Sequence, residues 1–155
     1  MRQLPFLDSD QEIERFLGCS IREFFDREGE EAFREIEARI ILETMSAPVR
    51  RVIATGGGSV LRPANREVMK AHATVVYLHT QPDDLARRLS RDTARPLLQV
   101  ADPRQRLRDL YAIRHPIYRE VADIVVDTAH KSAATLVNLI SMQLDVGGAA
   151  PEDAE

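Results

Sequence analysis

Arg50-Arg-Val-Ile-Ala-Thr-Gly-Gly-Gly-Ser-Val-Leu-Arg-Pro63, residues 50–63, runs from an apolar stretch straight into three consecutive glycines. Val49 to Thr55 reads as a buried strand, and Pro63 suits the first turn of a helix reaching about Ala71. Consecutive glycines after a strand tolerate positive φ and let a ligand approach bare N–H groups. A plain tight turn is the other reading. The lysine and Ser/Thr that complete a phosphate-gripping loop do not follow these glycines.

The same alternation extends in both directions. Leu4 to Leu7 is a short apolar run closed by Asp8-Ser9-Asp10, followed by a helical segment through Leu17. Ser20-Ile-Arg-Glu23 is a capping box for a helix through Arg27. Apolar residues at 33, 36, 40, 41 and 45 form the stripe of an amphipathic helix ended by Pro48. Thr74 to Leu78 is a strand, Pro82 to about Arg91 a helix, and Arg91 to Val100 polar and irregular. Asp102-Pro103 caps a helix through Ala122, with a bend expected near Pro116. Asp123 to Asp127 is a strand, Ser132 caps a last helix to about Val146, and 147–155 read as a disordered acidic tail. Strands alternating with helices define an α/β fold, a parallel sheet with helices on both faces. Ligands of such sheets bind beyond the carboxyl ends of the strands. That rule gathers Asp8, Asp10, Gly56 to Gly58 and the loops after Leu78 and Asp127 on one rim.

Composition narrows the function classes. The 155 residues carry a net charge of −4, which argues against general affinity for nucleic acid or an anionic membrane. All the basic residues but Lys70 and Lys131 are arginine, which suits a carboxylate or phosphate ligand and is equally what a GC-rich genome produces. The single cysteine, Cys19, permits no internal disulfide and fits a reducing, cytoplasmic setting. No apolar run approaches the ~18 residues of a membrane span. His72, His79, His115 and His130 lack metal-ligand spacing.

The rim residues carry chemistry. Asp8 and Asp10 can help hold magnesium through water or accept a hydroxyl proton; aspartates also cap helices. Arg34 lies beside the apolar stripe of its helix, within reach of the rim. Arg91 and Arg95 stand in a polar stretch, about 91–101, long enough to act as a lid, and Arg114 and Arg119 flank Pro116.

Leu7-Asp-Ser-Asp10, Phe33-Arg34, Thr55-Gly-Gly-Gly58, Arg95-Pro-Leu-Leu98 and Pro116-Ile-Tyr-Arg119 occur in the order and spacing of shikimate kinases. The resemblance runs from Leu4 to about Leu144, within one domain of residues 1–146. It implies a P-loop, nucleoside-monophosphate-kinase-like fold, and transfer of the ATP γ-phosphate to the 3-hydroxyl of shikimate with Mg²⁺, in aromatic amino-acid biosynthesis. By position it makes Asp10 the residue that holds a shikimate hydroxyl and orients or deprotonates it, and gives Arg34 and Arg119 the shikimate carboxylate. Gly57 presents backbone to the substrate, with Gly56 and Gly58 shaping the turn, and Asp8 orders the magnesium's waters. Arg95 closes over the transferring phosphate; Arg91 and Lys131 border the adenine. A monomer is expected.

Shikimate kinases begin with a strand, then G-x-x-G-x-G-K-[ST], then a helix, upstream of the Leu-Asp-x-Asp motif. Neither lysine of this sequence is preceded by glycine, so that loop is not among the 155 residues. The resemblance places the accompanying strand centrally, between the strands ending at Thr55 and Leu78. Two accounts fit: a sequence that starts inside a longer reading frame, or a relative that binds substrate without turnover.

Overall fold

The computed structural model describes residues 3–90 and 101–147. Two compact units divide the chain, Met1–Thr74 and Val75–Glu155. The expected helix–strand alternation is present in both, and the parallel strands form two ladders of two.

In the first unit, β1 (Phe6–Asp8) pairs in parallel with β2 (Val52–Ala54), Asp8 opposite Ala54. Three helices lie between them in sequence: α1 (Ser9–Leu17), α2 (Ile21–Glu28) and α3 (Glu30–Ser46). Their boundaries follow local chemistry. The Asp8 carboxylate accepts the Asp10 N–H at 2.9 Å and so caps α1, which ends at Gly18 in the left-handed region, φ 71°. Ser20 caps α2 by accepting the Glu23 N–H, as the capping box requires. Ile13, Phe33 and Ile40 form the core, packed by Leu17, Ile21, Phe24, Phe25 and Ile36. The stripe on α3 thus faces inward as its spacing dictates. After β2 the glycine turn leads into α4 (Pro63–His72), which opens on proline.

In the second unit, β3 (Val76–His79) pairs in parallel with β4 (Ile124–Asp127), His79 opposite Asp127. Between them run α5 (Pro82–Leu89) and α6 (Pro103–Val121), and α7 (Ala133–Gly147) follows β4. Asp102 caps α6 by accepting the Gln105 N–H, and the helix continues through Pro116. Side chains from β3 and α6 interlock: Tyr77 Oη lies 2.9 Å from His115 Nδ1, and His79 Nε2 lies 2.8 Å from Tyr111 Oη. The Tyr111 and His115 rings stack at 4.5 Å. Among the described residues, no helix is long and apolar enough to cross a membrane. The predicted tail residues 148–155 lie outside the described residues, and Gly147 closes α7.

Candidate functional site

The carboxyl end of the β1–β2 ladder collects three of the expected features within the first unit. β1 delivers Asp8, and the first turn of α1 delivers Asp10. β2 delivers the glycine turn. α3 brings Arg34 from a helix whose apolar face is anchored in the core.

The glycines are required by crowding, not by backbone sign. Gly56 and Gly58 do not adopt positive φ, contrary to the freedom expected of them. A Cβ on Gly56 would stand 2.8 Å from the Asp10 Oδ1. One on Gly58 would stand 2.5 Å from both terminal nitrogens of Arg34. The missing side chains therefore let a carboxylate and a guanidinium press against the turn, with the exposed Gly57 between them.

Electrostatics tune both charged groups. Burial, then the neighbouring Asp8 and Glu14 carboxylates, raise the Asp10 pKa; Arg34 pulls it back less strongly. Asp10 is accordingly a better proton acceptor than a free aspartate. Arg34 donates through Nη1 to Glu37 Oε1 at 2.7 Å, and Glu30 Oε1 lies 3.6 Å from Nη2. Its Nε is buried with no hydrogen-bond partner, and its guanidinium carbon lies 5.2 Å from the Phe33 ring centroid. A positive charge held this way suits a planar anion such as a carboxylate.

Three contributors escaped the sequence reading. Glu37 is buried, at a position where the stripe of α3 calls for an apolar residue. That misfit was the available signal. Ser59 and Asn65 are buried polar residues behind the glycine turn. Nothing in their spacing announced them.

The remaining expected residues belong to the second unit's part of the sequence. Arg91 and Arg95 lie outside the described residues, as does nearly all of the expected lid. Lys131 follows β4, with Nζ 3.4 Å from the Ala129 carbonyl, and its charge helps lower the Asp127 pKa after the Ala129 N–H. Arg119 is in the last turn of α6, just before the chain enters β4. There the Asp123 and Ile124 N–H groups bond the Val75 carbonyl, at the amino ends of β3 and β4. Arg119 therefore sits at the end of its own ladder opposite to the ligand-binding rim. Arg114, five residues earlier, is nearer the carboxyl ends, where Tyr111 meets His79. It hydrogen-bonds Tyr118.

The described residues do not by themselves form a triphosphate or magnesium site. Asp8 uses Oδ1 to cap α1, no cluster of three His, Cys, Asp or Glu side chains could hold a metal, and the glycine turn faces Asp10 and Arg34. What these residues do build is a carboxylate and a guanidinium held against one glycine turn.

Parallel α/β ladders with an acidic pair, a triple-glycine turn and an arginine at the strand ends agree with a P-loop, nucleoside-monophosphate-kinase-like fold, which solved structures of that fold match. The comparisons carry this further. The Shikimate kinase family model matches residues 1–145. The shikimate kinase of Paracidovorax citrulli is 50% identical over 150 residues, covering 96% of this chain and 82% of the relative. That of Cupriavidus pinatubonensis is 49% identical over 144 residues, covering 93% of this chain and 74% of the relative. The solved shikimate kinase from Acinetobacter baumannii, in complex with shikimate, superposes with a TM-score of 0.84 at 42% identity, covering 96% of this chain and 82% of that one. The chain belongs to the shikimate kinase family.

Proposed function

We propose that this protein is a shikimate kinase, transferring the γ-phosphate of ATP to the 3-hydroxyl of shikimate. The observation that carries the reading is the Asp10–glycine turn–Arg34 constellation, a base and an anion clamp held on either side of bare backbone. Arg34 binds the substrate carboxylate and fixes the ring. Gly57 offers its backbone to the ring between the two charged groups. Asp10 accepts the proton of the attacking hydroxyl, and its raised pKa brings it closer to that of the group it deprotonates. When bound, ATP would supply the phosphoryl group and Mg²⁺ would neutralise its charge, both held by residues beyond this acceptor constellation. Positioning and electrostatics dominate such transfers, so fixing the acceptor oxygen is this site's main contribution.

A second reading is a shikimate-binding module without turnover. The 155 residues contain no glycine–lysine pair of the kind that grips β- and γ-phosphates. Shikimate-dependent release of ADP by the 155-residue chain separates the two. Turnover supports the kinase; shikimate binding without ADP supports the module. Absence of both overturns the assignment of the site.

A further inference from the structure

The glycine turn is the most flexible kind of backbone, yet it must hold Asp10 and Arg34 at a fixed separation. Two buried side chains stiffen it from behind. Ser59, 0% exposed, donates to the Gly56 carbonyl twice, from its N–H at 3.1 Å and from Oγ at 2.8 Å. Asn65, 2% exposed in the first turn of α4, donates through Nδ2 to the Ser59 carbonyl at 2.9 Å. The Leu61 N–H closes on the Gly58 carbonyl at 3.1 Å, and Arg66 Nη1 donates to the Val60 carbonyl at 2.7 Å. The turn is therefore tied at both of the glycines that touch charged site residues, and the ties end on a regular helix.

We propose that Ser59 and Asn65 are positioning residues for the acceptor substrate, holding the Gly56–Gly58 turn at the spacing Asp10 and Arg34 need. The inference rests on the reading of this turn as the shikimate side of the site. Neither side chain touches a reacting atom; each acts through Gly56, whose neighbour is the Asp10 carboxylate. Burial alone would make them stability elements with no preference for substrate. The positioning role demands that substrate affinity change beyond what lost stability explains.

Shikimate titration calorimetry and thermal unfolding on the full chain test this, comparing Ser59→Ala, Asn65→Asp and Val126→Ala with the unmodified protein. Ser59→Ala removes one of two donors to Gly56 and weakens shikimate binding ~3–10-fold. Asn65→Asp sets a carboxylate against the Ser59 carbonyl and weakens binding ~10-fold or more at pH 7.5. A protonated carboxyl donates as the amide did, so this variant's affinity recovers towards that of the unmodified chain as pH falls to ~5. Val126→Ala lowers the unfolding midpoint through the buried β4 core and leaves shikimate affinity unchanged. Unchanged affinity in both turn variants, or a loss in Val126→Ala matching theirs, overturns the positioning role while the function stands. An unmodified chain that does not bind shikimate overturns the function and this inference with it.

Discussion

Arg34 and Glu37, one turn apart on α3, form an ion pair at 2.7 Å with side chains only 13% and 3% exposed. A carboxylate so deeply buried is tolerable only because a cation neutralises it, and the pairing fixes which way the guanidinium points. Glu37→Ala leaves a buried charge without its partner and costs about 3–5 kcal/mol in stability by chemical denaturation. Glu37→Gln retains an acceptor for Nη1, costs less, and weakens shikimate binding by loosening Arg34.

Gly58→Ala acts on the guanidinium of Arg34 directly. The clash at 2.5 Å is with the tip of the Arg34 side chain, which can swing away, and not with backbone. Swinging away opens the pair with the buried Glu37, so the variant's unfolding midpoint falls, and its shikimate KM rises ~10-fold or more because the carboxylate clamp is displaced. Equal affinity with the alanine present would show that the arginine does not work from its observed position.

Asp10 gives a pH prediction. Its raised pKa means the folded protein favours the protonated form, so ionised Asp10 opposes folding. Stability on its account is fully present below the ordinary aspartate value of 3.8 and is lost as pH rises through the raised one. At pH 7.5, Asp10→Asn therefore raises the unfolding midpoint while lowering kcat ~10²–10⁴-fold. In the unmodified enzyme the acid limb of kcat lies above the ordinary aspartate range.

His115 behaves in the opposite sense. Burial, His79 and Arg119 lower its pKa, while Tyr77, pushed up to about 12, keeps its proton and shares a hydrogen bond with the ring at 2.9 Å. The unfolded chain binds more protons here than the folded one. Stability is thus present above the ordinary histidine value of 6.5 and falls as pH drops through it towards the lowered one. Thermal scans between pH 7.5 and 5.5 show a smaller loss in His115→Asn than in the unmodified chain.

The two arginines flanking Pro116 are distinguished by kinetics. Arg114 is closer than Arg119 to the carboxyl ends of β3 and β4. Arg114→Ala raises the shikimate KM ~10–100-fold, the loss of a charge-assisted hydrogen bond, and Arg119→Ala leaves it within about twofold. The reverse order would restore the assignment the sequence motif suggested.

These residues also show what a sequence reveals. Asp8-x-Asp10 and the three glycines were legible because strand ends and turns have local signatures. Arg34 was legible from its place beside a helical stripe. The reason for the glycines was not, since it depends on side chains arriving from α1 and α3. Glu37 stands at an apolar position of the α3 stripe, but a glutamate there gives no sign of burial until the pairing with Arg34 is seen. Ser59 and Asn65 act through hydrogen bonds to backbone, which leave no periodic trace. The role given to Arg119 came from the family resemblance, and a motif fixes a residue's position along a helix but not the end of the ladder that position adjoins.

Titration of the chain with shikimate in a calorimeter, alongside Arg34→Ala, tests the central claim most directly. The account predicts single-site binding that Arg34→Ala abolishes or weakens by ~100-fold, the loss of a paired charge on a carboxylate. Binding of equal strength in the two proteins, or none in either, would contradict it.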